Sequence, residues 1–285
     1  MGHPFLTYEM MLEYFVDLLK ISLPVLYLFT LFLYGLAFFL DEQFGIRNRT
    51  KFLVATLIVQ VVYLFSRTLL TGHPPVTSVF EIMSVISLTI GGAYLFIELR
   101  TQVKDTGLFI LSLAFLFDVV SAAFIKDDVH LNPVLKSSVL GIHVASAMLG
   151  YSALAISAVY GGLYLMMYHE IRSSRFGIVY RKLPNLQTLE KLSYASIILG
   201  FVFLTIAIFI GYVWLPKTID DFSYSDPKLI ITDIVWVIYF SALLSRKAMR
   251  WTGRTVVIVS MVGFVLTIAS MVIVNVFLHS FHNFQ

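Results

Sequence analysis

Residues Gly211–Tyr239 read GYVWLPKTIDDFSYSDPKLIITDIVWVIY. An apolar run ends here, a polar excursion follows, and a second apolar run begins with Trp236 and Tyr239 already inside it. The excursion carries Asp220, Asp221 and Asp226, the aromatic pair Phe222 and Tyr224, and the turn Asp226-Pro227-Lys228. Apolar run, short polar loop, apolar run is the signature of a chain that leaves a bilayer and re-enters it, because a spanning helix needs roughly 20 mostly apolar residues.

The same pattern recurs along the chain. Eight stretches qualify as spans: Ile21–Leu40, Phe52–Leu70, Ile82–Ile97, Leu108–Ile125, Leu140–Tyr168, Ala195–Trp214, Leu229–Leu244 and Val256–Phe277. The third and seventh are short and lean on their flanks. Composition agrees: 59% of the 285 residues are hydrophobic and 13% are charged, against about 25% charged in a soluble domain. The reading is therefore an all-α polytopic membrane protein, a single transmembrane domain over 1–285, since lipid accepts only helices or closed barrels and these runs are far too long for barrel strands. With no cysteine in the sequence, disulfides, Cys-bound zinc and iron–sulfur clusters held by this chain are excluded.

Basic residues in short loops set the orientation. Arg47, Arg49, Lys51, Arg100, Lys104 and the basic groups of 172–191 and 246–254 follow the odd-numbered spans, while few follow the even-numbered ones. Both termini and the loops 71–81, 126–139 and 215–228 are expected on the non-cytoplasmic side of the cytoplasmic (inner) membrane, with the first span as insertion signal. In 1–20, Glu9, Glu13 and Asp17 form an acidic stripe opposite apolar residues. That pattern fits an interfacial amphipathic helix or an upward extension of the first span. The basic segment His169–Lys191 fits a headgroup-facing loop, with Tyr180 and Leu183 resting on the lipid. It is too short to form a nucleic-acid platform, so the partners expected are lipid and membrane proteins.

Charged residues within spans demand an explanation, since each costs about 2.5–3.5 kcal/mol at the bilayer centre. Arg67, Glu81, Asp118 and Asp233 all fall in the outer halves of their spans. Arg67 is expected either to pair with Asp118 or Glu81, or to meet a ligand carboxylate. Histidines are the other signal: His73, His130, His143, His279 and His282 gather at the outer face, joined by His3, while His169 lies on the opposite side. A single histidine at such a place is more often an ordinary hydrogen-bonded side chain. A one-sided set suits haem iron or another transition metal, because neutral imidazole ligates both.

Four segments give the chain a resemblance to the cytochrome c assembly family of haem-handling membrane proteins, the CcsA type, and to its shorter HemX-like branch. They are Gly72-His73-Pro74-Pro75 through Ser78 and Glu81, His143 through Tyr151, Asp226-Pro227-Lys228 followed by Trp236-Val237-Ile238-Tyr239, and Val274-Asn275 with Leu278-His279-Ser280-Phe281. The resemblance implies haem b held at the outer face, with His143 and His279 as the axial, metal-bound ligands. Tyr224, Asp226, Lys228, Trp236 and Arg67 are the further cofactor-binding residues it implies, and 215–228 is similar to a degenerate tryptophan-rich haem motif. This chain has Ser223-Tyr224-Ser225-Asp226 where the family has W-x-W-D, Leu229 where it has glutamate after D-P-K, and Leu244 where it has a histidine. Those departures point to the HemX-like branch and to an accessory or regulatory role in cytochrome c maturation or haem biosynthesis, with an assembly partner, rather than to an independent enzyme. The competing expectation is a structural or regulatory subunit of a membrane complex that keeps the fold without haem.

Overall fold

The computed structural model describes residues 4–125, 138–174, 176–217, 223–248 and 253–277. Within the span expected as a single domain the chain packs as two compact units, Met1–Lys136 and Ser137–Gln285. All regular structure among the described residues is helical. Seven helices are long and apolar enough to cross a membrane, and an eighth apolar stretch, Gly253–Ala269, is shorter.

The first unit holds α1 (Pro4–Leu40), α2 (Gln43–Thr71), α3 (Val79–Thr101) and α4 (Gly107–Phe124). α1 packs on α2 and α4, and α3 on α2 and α4. At 37 residues α1 measures about 55 Å, well beyond a hydrocarbon core of about 30 Å. It is unbroken from Pro4, so residues 5–20 continue the first span, the second of the two readings open from sequence. Val16 explains this continuity: it is buried in a cluster with Leu23, Tyr63 and Leu64, with Leu12 and Leu19 alongside. The acidic stripe stays outside that contact.

α3 is longer than its apolar core, because its ends are capped. Ser78 accepts a hydrogen bond from Glu81 N–H at 3.1 Å, satisfying one of the helix's orphan donors. α2 stops at Gly72, whose φ of 72° places it in the left-handed region that glycine enters without a Cβ clash. Near the other end of these helices Glu98, fully buried, accepts from Tyr34 at 2.5 Å and Thr50 at 2.5 Å. Arg49 meets Asp105 at 3.1 Å.

The second unit holds α5 (Ser138–Arg172), the single-turn α6 (Ile178–Lys182), α7 (Leu186–Trp214), a 3-10 turn (Leu215–Lys217), α8 (Pro227–Ala248) and α9 (Gly253–Phe277). α5 and α7 form its spine, antiparallel and in a register that repeats every seven residues. His143 meets Ala207, Gly150 meets Gly200, and Ser157 meets Ser193. Sevenfold spacing keeps one seam facing its partner along the whole crossing, and small residues let two backbones approach where lipid offers no hydrophobic drive. A Cβ on Gly150 would stand 3.1 Å from the Leu204 backbone nitrogen. Gly150→Leu is therefore expected to lower stability by about 1–3 kcal/mol through overpacking. Gly141→Leu on the same helix, where nothing lies within 4 Å, is expected to cost nothing. Thermal unfolding in detergent compares the two.

α8 and α9 close this unit through Tyr239, which donates to Ser260 O at 3.0 Å, while Ser260 Oγ lies 2.8 Å from Ser157 Oγ. The basic segment folds back on itself: Glu170 Oε2 accepts from Gly177 N–H at 3.1 Å and Tyr180 N–H at 2.9 Å. Tyr180 is exposed as expected, but Leu183 is buried. The correction follows from α6, whose turn directs Leu183 inward.

Candidate functional site

His143 lies in the second turn of α5, half-buried, with Nδ1 2.9 Å from Ala207 O on α7. A carbonyl only accepts, so Nδ1 carries the proton, and in the neutral ring Nε2 keeps its lone pair. A ring held by an Nδ1–H···O=C bond is the arrangement by which proteins fix the tautomer and aim of a metal-ligating imidazole. Lys228, in the first turn of α8, lies close enough to act on His143 electrostatically.

Lys228 is placed by Asp226. The turn Ser223–Asp226 closes with Asp226 N–H to Ser223 O at 3.2 Å. The Asp226 carboxylate then accepts from Lys228 N–H at 2.8 Å, with Pro227 as the first helical residue. Aspartate capping ahead of proline is the standard way to begin a helix. Asp226→Ala is expected to cost about 1 kcal/mol, and to speed hydrogen exchange in the first turn of α8 above all, whereas Asp226→Asn is expected to keep most of the cap.

Tyr224, also expected in the site, is 63% exposed. Its ring stacks on Tyr212 at the end of α7, with centroids 6.0 Å apart. Tyr212 in turn donates to the Asp233 carboxylate, which ties α7 to α8 below the turn. Trp236 sits on the same stretch of α8, between Phe201 at 5.1 Å and Phe240 at 5.2 Å. Its indole N–H donates to Thr205 Oγ1 at 2.8 Å. Trp236 is therefore a wall of packed aromatics with its polar edge satisfied.

Arg67 belongs to the first unit. It is buried, and its Nε donates to Glu81 Oε1 at 3.0 Å. Glu81 Oε2 also accepts from Thr77 N–H at 2.9 Å and Thr77 Oγ1 at 2.7 Å. Of the two acids open as partners from sequence, Glu81 takes the arginine. His73 is buried too, its Nδ1–H donating to Pro74 O at 2.8 Å. His3, His130, His279 and His282 lie outside the described residues, as do Asp220, Asp221 and Phe222.

Sequence reasoning missed the parts that hold these residues: the Ala207 carbonyl, Thr205, and the Tyr212–Asp233 bond. One signal was available, the matching sevens of His143, Gly150 and Ser157 on α5 with Ser193, Gly200 and Ala207 on α7.

Seven helices long and apolar enough to cross a membrane define a multi-pass membrane protein, and one of them carries an imidazole whose Nδ1 is tethered to a neighbouring helix. The cytochrome C assembly protein family matches residues 19–282, and the chain belongs to that family. It is similar to the cytochrome c biogenesis protein CcsA of Prochlorococcus marinus strain MIT 9312, 30% identical over 275 residues, which cover 86% of this chain and 87% of that protein. The same protein of strain MIT 9215 is 29% identical, with the same coverage. Protein HemX of Brevibacillus brevis is 27% identical over 234 residues, covering 79% of this chain and 86% of that one. The family match begins near Lys20, well before the segments that carry the resemblance in sequence.

Proposed function

We propose that this protein binds haem b at the non-cytoplasmic face of the inner membrane and serves cytochrome c maturation, in an accessory or regulatory role of the HemX type. The single observation that carries the reading is the Nδ1–H bond of His143 to Ala207 O at 2.9 Å, which leaves Nε2 as a prepared donor on a family member. His279 is the second axial ligand in this reading. Haem, when bound, supplies an iron that accepts imidazole nitrogen. The chain's own residues orient that nitrogen. Ala207 fixes the ring, the Gly150–Gly200 crossing fixes the height of α5 on α7, and Asp226 caps the helix that carries Lys228, the counter-charge for a propionate in this reading. Trp236 and Tyr224 supply flat apolar surface. We assign Arg67 to Glu81 rather than to haem.

The reading includes eight spans, with α9 as the eighth and both termini outside, since basic residues crowd the loops after odd-numbered spans. Haem passes to or from an assembly partner, and the chain is not an independent enzyme. A second reading, a subunit that keeps the fold without haem, draws on Ser223 and Ser225 standing where the family places tryptophans. The absorption spectrum of detergent-purified protein, oxidised and reduced, decides between them. Haem binding predicts a Soret band that depends on His143, and a colourless wild type grown with excess haem overturns it.

A further inference from the structure

The four helices of the first unit meet at one buried amide. Tyr27 on α1 donates to Gln60 Oε1 at 2.6 Å. Gln60 Nε2, on α2, donates to Ser84 O on α3 at 3.0 Å and to Asp118 Oδ1 on α4 at 3.4 Å. Gln60, Ser84 and Asp118 are all buried, at 0%, 1% and 2% exposure. Two oxygens in this knot have no hydrogen-bond partner, Asp118 Oδ2 and Ser84 Oγ. Both belong to residues that accept from the Gln60 side-chain amide, Ser84 through its backbone oxygen and Asp118 through Oδ1.

A buried polar atom without a partner is costly, and a buried carboxylate without a counter-charge far more so. Yet among the described residues no ion pair reaches Asp118. The groups facing it from the neighbouring helices are Tyr27 on α1, Gln60 on α2, and Ser84 and Ser87 on α3. None carries a positive charge, and Tyr27 is the one titratable group of the four. Its hydroxyl proton already goes to Gln60.

An ionised Asp118 would therefore lack a counter-charge here, and the knot offers only oxygen to receive one. A single carboxylate with neutral oxygens matches one unit of charge. Calcium takes six to eight oxygens, commonly several of them carboxylate, and softer metals want imidazole or thiolate. No group of three His, Cys, Asp or Glu is found among the described residues.

We propose that Asp118, ionised, and Ser84, braced by Gln60, bind one sodium ion inside the first unit, in place of the proton that otherwise neutralises a buried carboxylate. The occupant bridges α3 and α4 beside the amide that already links all four helices. Binding it stabilises the folded unit by mass action.

The test is thermal unfolding of the detergent-purified full chain, followed by circular dichroism. Sodium chloride is titrated against choline chloride at constant ionic strength and pH, and pH is then varied in choline chloride alone. A midpoint that rises only as pH falls is protonation of the Asp118 carboxyl itself and overturns the proposal, whereas the wild-type midpoint is expected to rise with sodium at constant pH. Asp118→Asn keeps the shape and removes the charge, so it is expected to lose that response. Ser84→Ala removes one neutral ligand and is expected to shift the concentration needed at least about tenfold upward, as losing a hydrogen bond to a charged group would. A wild type indifferent to sodium overturns the proposal, and so does an Asp118→Asn variant that responds to sodium as the wild type does. Should that variant fail to fold, Ser84→Ala decides alone, and an unshifted concentration dependence overturns it.

Discussion

Detergent-purified protein expressed with excess haem is expected to show a Soret band that His143→Ala reduces by at least about tenfold, the scale on which even outer partners of a bound metal act. The physical reason is that His143 is prepared before any ligand arrives. Its Nδ1–H is spent on Ala207 O at 2.9 Å, so the ring costs little further entropy to order when Nε2 binds. Added imidazole is expected to restore part of the band in His143→Ala, because the Trp236–Thr205 bond and the capped start of α8 do not depend on the ring. A band of full strength in His143→Ala would remove His143 from the site, and with it the axial pair proposed here. His279→Ala provides the parallel measurement for the second ligand.

Arg67→Ala is expected to destabilise the protein by about 3–5 kcal/mol, the cost of leaving one member of a buried ion pair alone. Both partners are almost fully buried, at 2% exposure each, and Glu81 would keep only Thr77 and its other local contacts as compensation. The double variant Arg67→Leu, Glu81→Leu is expected to recover most of that loss, because replacing both charges removes the desolvation penalty along with the attraction. A simple exchange of the two charges is expected to fail, since Thr77 donates to Glu81 through both its amide and its hydroxyl and an arginine at position 81 could accept neither. Thermal unfolding reads the stability, and the Soret band reads haem in the same samples. Loss of haem at unchanged stability in Arg67→Ala would return Arg67 to the ligand, whereas loss of stability alone leaves it with Glu81.

Much of the architecture was legible because lipid imposes a one-dimensional rule. Long apolar runs must be helices, and seven of the eight expected from residue type are long and apolar enough among the described residues to cross a membrane. The short third and seventh runs became full spans because Ser78 and Asp226 cap their helices, and both caps are local in sequence. Asp226 was legible as a loop-ordering residue for the same reason. The continuity of α1 was undecided, because the acidic stripe of 1–20 suits either reading. Burial of Val16 against Tyr63 and Leu64 resolved it.

Sequence by itself determined an all-helical membrane chain and the family to which it belongs, and it made His143 a candidate, since each depends on composition or on residues close together in the chain. Tertiary structure alone decided that Arg67 pairs with Glu81, that the proton of His143 goes to Ala207, and that Asp118 meets Gln60 beside an unpartnered serine. Those outcomes turn on which helix faces which, and a hydrogen bond between residues 64 positions apart leaves no mark in the local pattern. The seven-residue register of α5 on α7 lies between the two: its spacing is written in the sequence, but only the crossing of the helices shows that the two sets of small residues meet.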